Sequence, residues 1–178
     1  MSRIELIESL IRNIPDFPEP GIQFKDISTL IGSAVGFRAT IEELVERAPG
    51  DVEIVAGVDS RGFLFAAPVA LELGVGLVPI RKPGKLPFTT ISESYDLEYS
   101  KDELSIHVDA IQPGQKVLII DDLIATAGTL TAAAKLIRRC GGELVGVQAV
   151  IELTELGGRE KLHAAGVEQV DVLVQYTI

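Results

Sequence analysis

Asp121 and Asp122 stand at the carboxyl end of the apolar run VLII (Val117–Ile120), and a turn of small residues with two threonines, Ala125, Thr126, Ala127, Gly128 and Thr129, leads from them into a helical run from Leu130 to Arg139. The apolar run reads as a buried strand. A strand end that turns into a helix leaves backbone N–H groups without partners, aligned with the peptide dipoles, and this favours an anion. Thr126 and Thr129 add hydroxyl donors, and the small residues let the backbone close around the ligand. Carboxylates repel a phosphate but accept hydrogen bonds from a diol. The pattern therefore describes a sugar phosphate, its phosphate in the turn and its hydroxyls on Asp121 and Asp122. The same succession also occurs as a plain strand-to-helix connection. Other phosphate signatures are missing: there is no GxxxxGK[ST], and Gly74-Val75-Gly76 precedes its strand instead of following one.

A second strand, EIVAGV (Glu53–Val58), ends in Asp59, Ser60 and Arg61 at the same topological position, which places these residues beside the phosphate turn. The Arg61 guanidinium can grip a phosphate or carboxylate bidentately, or form a surface ion pair with a neighbouring acid. The densest basic cluster, Arg81, Lys82 and Lys85 in RKPGKLP, adds further positive charge, so a ligand with two anionic ends is expected. Phe24, on a loop among prolines, is either a core plug or a stacking face for a flat heterocycle. Glu98 and Tyr99 lie in a stretch expected to form a lid. An acid above a closing site can hold a proton on a nitrogen nucleophile, although a carboxylate there is also an ordinary solvated strand residue. His107 and His163 have neither ligand nor base spacing, and no metal ligand is assigned.

These side chains need a frame. A first helix is expected over about Arg3 to Arg12, with Ile4, Ile7, Leu10 and Ile11 on one face, followed by the proline-rich arm IPDFPEPGIQFKDIS in extended form. Helical periodicity returns at Phe37 to Arg47. Strands are then expected at Glu53–Val58, Gly76–Ile80, Lys116–Asp121, Glu143–Leu153 and Val170–Tyr176, with helices at about Gly62–Leu73, Gly128–Arg139 and Leu156–Leu162. Short apolar strands alternating with helices describe an α/β fold, a mostly parallel twisted sheet flanked by helices on both faces. Between Arg81 and Gln112 the rhythm breaks. YDLEYS and ELSIHVD alternate with period two and read as a hairpin inserted above the sheet, in the position of a lid or binding loop.

The chain has 178 residues, 47% of them hydrophobic, which suits one domain over residues 1–178, with 1–36 as an N-terminal arm and 81–112 as the lid insertion. A net charge of −10 argues against a nucleic-acid partner, because phosphate neutralisation needs a broad basic face. Cys140 is the single cysteine, placed to pack at a helix end, and a cytoplasmic location is expected. The N-terminal segment carries Glu5 and Glu8 within its apolar pattern and reads as a surface helix instead of a signal peptide. Phe63 to Ile80, the most apolar stretch, is interrupted by Glu72, Pro68 and Pro79, so no membrane partner is expected.

Five blocks, IPDFPEPGIQFKDIS, VDSRGFLFAAPVA, VPIRKPGKLP, YDLEYSKDELSIHVDAI and VLIIDDLIATAGT, occur in one order, and in that order the chain resembles the adenine branch of the type I phosphoribosyltransferase family over about Ile14 to Leu153. The resemblance implies the type I phosphoribosyltransferase fold with an N-terminal hood and a flexible hairpin lid. It implies transfer of phosphoribose from phosphoribosyl pyrophosphate to adenine, giving AMP and pyrophosphate with Mg²⁺ in purine salvage. Ala125 to Thr129 would hold the 5′-phosphate and Asp121 and Asp122 the ribose hydroxyls. Asp59, Ser60, Arg61, Arg81, Lys82 and Lys85 would serve the pyrophosphate, Arg61 also lying near the base. Phe24 would stack on adenine, with Ile22, Gln23 and Lys25 around it. Glu98 would be the acid/base and Tyr99 its neighbour in the lid. The Mg²⁺ would be held mainly by substrate. The family is similar to a homodimer in which the arginine matching Arg81 reaches toward the partner's site.

One position departs from the branch, whose members usually read ATGGT where this chain has ATAGT. If Ala127 needs a positive φ, alanine strains the turn by roughly 1 kcal/mol; orotate-type relatives look as though they carry TAGT there. Three other readings stay open at the level of sequence: a different purine, namely hypoxanthine, guanine or xanthine; a non-catalytic sensor of phosphoribosyl pyrophosphate; and a sugar-phosphate binding module.

Overall fold

A computed structural model describes residues 1–96 and 101–177. Five strands form one parallel sheet: β3 (Ile54–Val58), β4 (Gly76–Ile80), β7 (Lys116–Ile124), β8 (Glu143–Leu153) and β9 (Val170–Tyr176), in the order β4-β3-β7-β8-β9. The parallel sheet expected from the alternating pattern is the one found. Its strands are apolar on both faces because both faces are covered. Successive side chains point to opposite sides, so Ile54, Ala56, Val58, Val117 and Ile119 enter one core cluster, while Val55, Leu118 and Ile120 enter the other.

Helices α1 (Arg3–Leu10), α2 (Ser28–Ile31), α3 (Ala34–Glu46) and α4 (Gly62–Leu73) cover the second cluster; α5 (Gly128–Arg139) and α6 (Gly158–Ala164) cover the first. Helix α1 ends two residues before the expected Arg12, since Ile11 is already extended and Arg12 opens a strand. Helix α3 begins three residues before the expected Phe37, where the Ser33 hydroxyl accepts from the Gly36 N–H at 3.2 Å. The arm is a small antiparallel hairpin of β1 (Arg12–Pro15) and β2 (Gln23–Asp26).

The hairpin of β5 (Thr90–Asp96) and β6 (Lys101–His107) differs in extent from the stretches read off the sequence. Its first strand starts within the Thr/Ser run, because Thr90 pairs with His107 and the register holds through Asp96 and Lys101. Leu104 and Ile106 anchor β6 in the core, and the backbones of Arg81 and Ser105 exchange hydrogen bonds of 2.9 and 2.7 Å, which fastens the hairpin to the end of β4. Among the described residues no helix is long and apolar enough to cross a membrane.

Candidate active site

Strand β7 runs three residues beyond Asp121, because β8 goes on pairing with it as far as Ile124 and Glu152. The two aspartates are therefore held in a strand of the sheet, not in a free loop. Asp122 is 5% exposed and Asp121 is partly buried. Burial, and then the charge of Asp122, pushes the Asp121 carboxyl well above its ordinary value. Burial also raises Asp122, against the opposing pull of Arg61.

Ala127 has φ 57° and ψ 21°, the left-handed conformation, so the turn does impose the backbone that glycine adopts most easily. The bend aims the first turn of α5 at open space. No acidic side chain lies in that first turn, whereas Arg138 and Arg139 occupy the last, so the charge pattern of the helix leaves its N-terminus to an anion. The Thr131 hydroxyl donates to the Ala127 carbonyl at 2.7 Å and braces the bend. Thr126 is exposed and Thr129 half-buried beside the same space.

The second strand end comes to the first as expected. A cavity of about 370 Å³ is lined by Asp59, Ser60, Arg61, Asp121, Asp122 and the whole Ala125–Thr129 turn, together with Leu123 and Leu130. Arg61 Nε lies 2.9 Å from Asp122 Oδ2. The ion pair weighed for Arg61 thus exists, and it lies inside the site. The Asp59–Ser60 peptide is cis. Another hollow of about 380 Å³, between α3 and α4, is lined by Phe37, Ile41 and Val45 among others and holds none of these groups.

Phe24 does not line the cavity but meets a residue that does: the Arg61 guanidinium lies over its ring at 5.7 Å, and Phe17 packs on it edge-on at 5.1 Å. Gln23 and Lys25 alternate to the other face of β2, where Asn13 donates to Gln23 Oε1 at 2.7 Å and Lys25 Nζ donates to Asn13 Oδ1 at 3.0 Å. Ile22 is 44% exposed, its N–H donating to Glu19 O and its carbonyl accepting from Phe17 N. None of these three lines the cavity. Asp26 secures the arm by accepting from Arg12 and from the Ser28 N–H at 2.8 Å, and these bonds, those from Ser28 first, lower its carboxyl to about 2.

Arg81 turns to Asp59 of its own chain, Nε to Oδ2 at 3.1 Å, and the Lys82 N–H donates to the same oxygen at 3.4 Å. The basic loop is thereby held at the rim of the cavity. The Lys82 ammonium points instead to Asp102 and to the Tyr95 hydroxyl, the latter at 2.7 Å. Lys85 is exposed and outside the cavity lining. Glu98 and Tyr99 lie outside the described residues.

Three contacts escaped the sequence reading. A Cβ on Gly158 would stand 2.1 Å from the Ala125 carbonyl, so α6 packs directly on the Ala125–Thr129 turn. A Cβ on Gly62 would stand 2.9 Å from Asp121 Oδ1, so α4 packs as closely on β7 at the paired aspartates. Tyr95 lies across Gly128, its Cδ2 3.2 Å from where a Cβ would be. Gly157-Gly158 after the third strand end was the available signal for the first of these.

Comparison with known proteins identifies a family. Residues 28–172 match the family described as Phosphoribosyl transferase domain. The chain is 56% identical to the adenine phosphoribosyltransferase of Cutibacterium acnes, over 97% of each chain. It is 58% identical to that of Chloroflexus aurantiacus, over 91% of this chain and 94% of the relative.

The chain belongs to the phosphoribosyltransferase family, in its adenine branch.

Among solved phosphoribosyltransferases, that of Thermoanaerobacter pseudethanolicus superposes with a TM-score of 0.93 at 47% identity, covering 97% of this chain and 99% of the other. The Saccharomyces cerevisiae enzyme, solved with an imino-altritol bisphosphate and adenine, superposes at 0.88 with 35% identity, covering 97% and 98%. The type I phosphoribosyltransferase fold expected from the ordered blocks is therefore established.

Proposed function

We propose that this chain transfers the 5-phosphoribosyl group from phosphoribosyl pyrophosphate to adenine, releasing AMP and pyrophosphate, in purine salvage. The observation that carries this reading is the meeting of three groups at one cavity: the anion turn Ala125–Thr129, the carboxylates Asp121 and Asp122, and Arg61 with Phe24 against it. A 5′-phosphate fits the turn, ribose hydroxyls fit the carboxylates, and a flat base fits the face of Phe24. The adenine phosphoribosyltransferase names of the relatives favour adenine over hypoxanthine, guanine or xanthine. A non-catalytic sensor or binding module is disfavoured for the same reason.

Breaking the bond from C1′ to pyrophosphate builds positive charge on the ribose and negative charge on the leaving group. Arg61 and Lys82 supply cations on the leaving side. Glu98 takes or holds the proton of the attacking base nitrogen, and the hairpin, with Tyr99, closes over C1′ and keeps water from competing. Among the described residues no cluster of three or more His, Cys, Asp or Glu is gathered for a metal. Asp121 and Asp122 are the hard oxygen donors that would lie nearest a Mg²⁺ carried in mainly by the substrate. Such an ion would supply charge neutralisation on the pyrophosphate.

A homodimer is part of the proposal. Strand β4 ends the sheet, Leu77 on it is 42% exposed, and Leu64 and Leu71 on the adjacent α4 are 42% and 80% exposed, an apolar edge that a second copy would cover. A cytoplasmic location suits substrates that are phosphorylated metabolites. The decisive experiment is incubation with each purine in turn, phosphoribosyl pyrophosphate and Mg²⁺, with the nucleotide identified by chromatography. AMP from adenine is expected; no nucleotide from any purine would reject the transfer reaction.

A further inference from the structure

Lys82 has its backbone at the pyrophosphate side and its charge elsewhere. Its N–H reaches Asp59, which lines the cavity, but its ammonium is bonded to Asp102 on β6 and to the Tyr95 hydroxyl on β5 at 2.7 Å, and that hydroxyl donates in turn to Asp102 at 2.9 Å. Lys82 Nζ also stands 5.3 Å from the centre of the Tyr95 ring, and the ring lies across Gly128 of the phosphate turn. Asp102 accepts from the Glu103 N–H at 2.8 Å, so its carboxylate is fixed before any ligand arrives. The side chains of Lys82 and Asp102 are 38% and 32% exposed, enough for the pair to part without leaving a buried charge behind. Burial opposes the ammonium, but the bonds from Asp102 and Tyr95 outweigh it and raise the Lys82 pKa, while Lys82 lowers that of Asp102.

We propose that Asp102 and Tyr95 are a resident counter-ion for Lys82, standing in for the pyrophosphate while the leaving-group side is empty and releasing the ammonium when a diphosphate arrives. This rests on the assignment of Lys82 to the leaving group. The hairpin thereby holds a cation that is needed only when substrate is present. A diphosphate binds Lys82 by displacing a carboxylate already there, so Asp102 lowers diphosphate affinity in return for a defined resting position. Tyr95 is the positioning residue that keeps this exchange beside the phosphate turn.

Calorimetric titration of the full chain with magnesium pyrophosphate, and separately with AMP, tests the exchange. Asp102→Asn should tighten pyrophosphate binding about threefold to fivefold, the scale of a partly exposed ion pair, and leave AMP binding unchanged. Tyr95→Phe, which removes only the hydroxyl, should act in the same direction and more weakly. Lys82→Met should weaken pyrophosphate binding about tenfold, and in that background Asp102→Asn should have no effect, because the coupling runs through Lys82. Weaker pyrophosphate binding by Asp102→Asn, or an equal gain without Lys82, would overturn the proposal. Pyrophosphate binding by Lys82→Met equal to that of the parent chain would do so as well, while AMP formation from adenine would still stand or fall on its own assay.

Discussion

Arg61 Nε lies 2.9 Å from Asp122 Oδ2, joining the end of β3 to β7 across the cavity. The guanidinium is 43% exposed and the carboxylate 7%, so the buried member depends on the accessible one. Arg61→Ala should lower kcat/KM for phosphoribosyl pyrophosphate roughly tenfold, as expected for a charged hydrogen-bond partner lost from a half-exposed site. Arg61 is the charge that opposes the burial of Asp122, so its loss raises that carboxyl further. The acid limb of the activity profile should therefore move to higher pH. An unchanged limb would disconnect the pair from substrate binding.

Asp121 also carries a burial cost. Its folded-state pKa is raised above the ordinary 3.8, so the folded protein holds the proton more tightly than the unfolded chain. Stability then falls as pH rises from 3.8 through the folded value, and the full cost is present above it. Asp121→Asn should melt higher than the parent chain at pH 8, with the difference shrinking toward acid, while catalysis falls. Scanning calorimetry of both proteins across this range gives the answer, and a less stable variant at pH 8 would contradict it.

Gly158 is where α6 leans on the phosphate turn. Gly158→Ala places a methyl against the Ala125 carbonyl, and the turn has to move because neither backbone can swing aside cheaply. AMP affinity should fall about tenfold, a loss of roughly 1.4 kcal/mol. Adenosine, lacking the phosphate, should bind as before. Equal losses for the two ligands in parallel titrations would mean that the damage is general.

Ala127 occupies the left-handed region at φ 57° and is 6% exposed. Ala127→Gly relieves roughly 1 kcal/mol of backbone strain but adds unfolded-state entropy of similar size and removes a buried methyl. Stability should change by less than about 1 kcal/mol, and turnover should stay within about tenfold of the parent chain. A far larger gain in steady-state turnover would show that the alanine holds the turn in a poor shape.

Phe24 is joined to the cleft by Arg61 at 5.7 Å and by Phe17 at 5.1 Å. Phe24→Ala should raise the KM for adenine about tenfold, the scale of one base-stacking contact, with little effect on the KM for phosphoribosyl pyrophosphate. Initial-rate kinetics with each substrate varied separates the two. A shared rise would return Phe24 to a packing role in the arm.

The sequence by itself determined the parallel sheet, the anion turn and the paired strand ends, because apolar period, small-residue turns and helix starts are properties of a few neighbouring residues. It also carried enough ordered blocks to name the family. Only the tertiary structure decided that β7 continues past Asp121, since that depends on how far β8 goes on pairing with it. It alone turned Arg81 to Asp59 and Lys82 to Asp102, and it alone set Gly158 against Ala125 and Phe24 against Arg61. Those contacts join segments distant in the chain, and they follow from the strand order β4-β3-β7-β8-β9 and from how the loops and helices at the strand ends meet, neither of which a local pattern encodes.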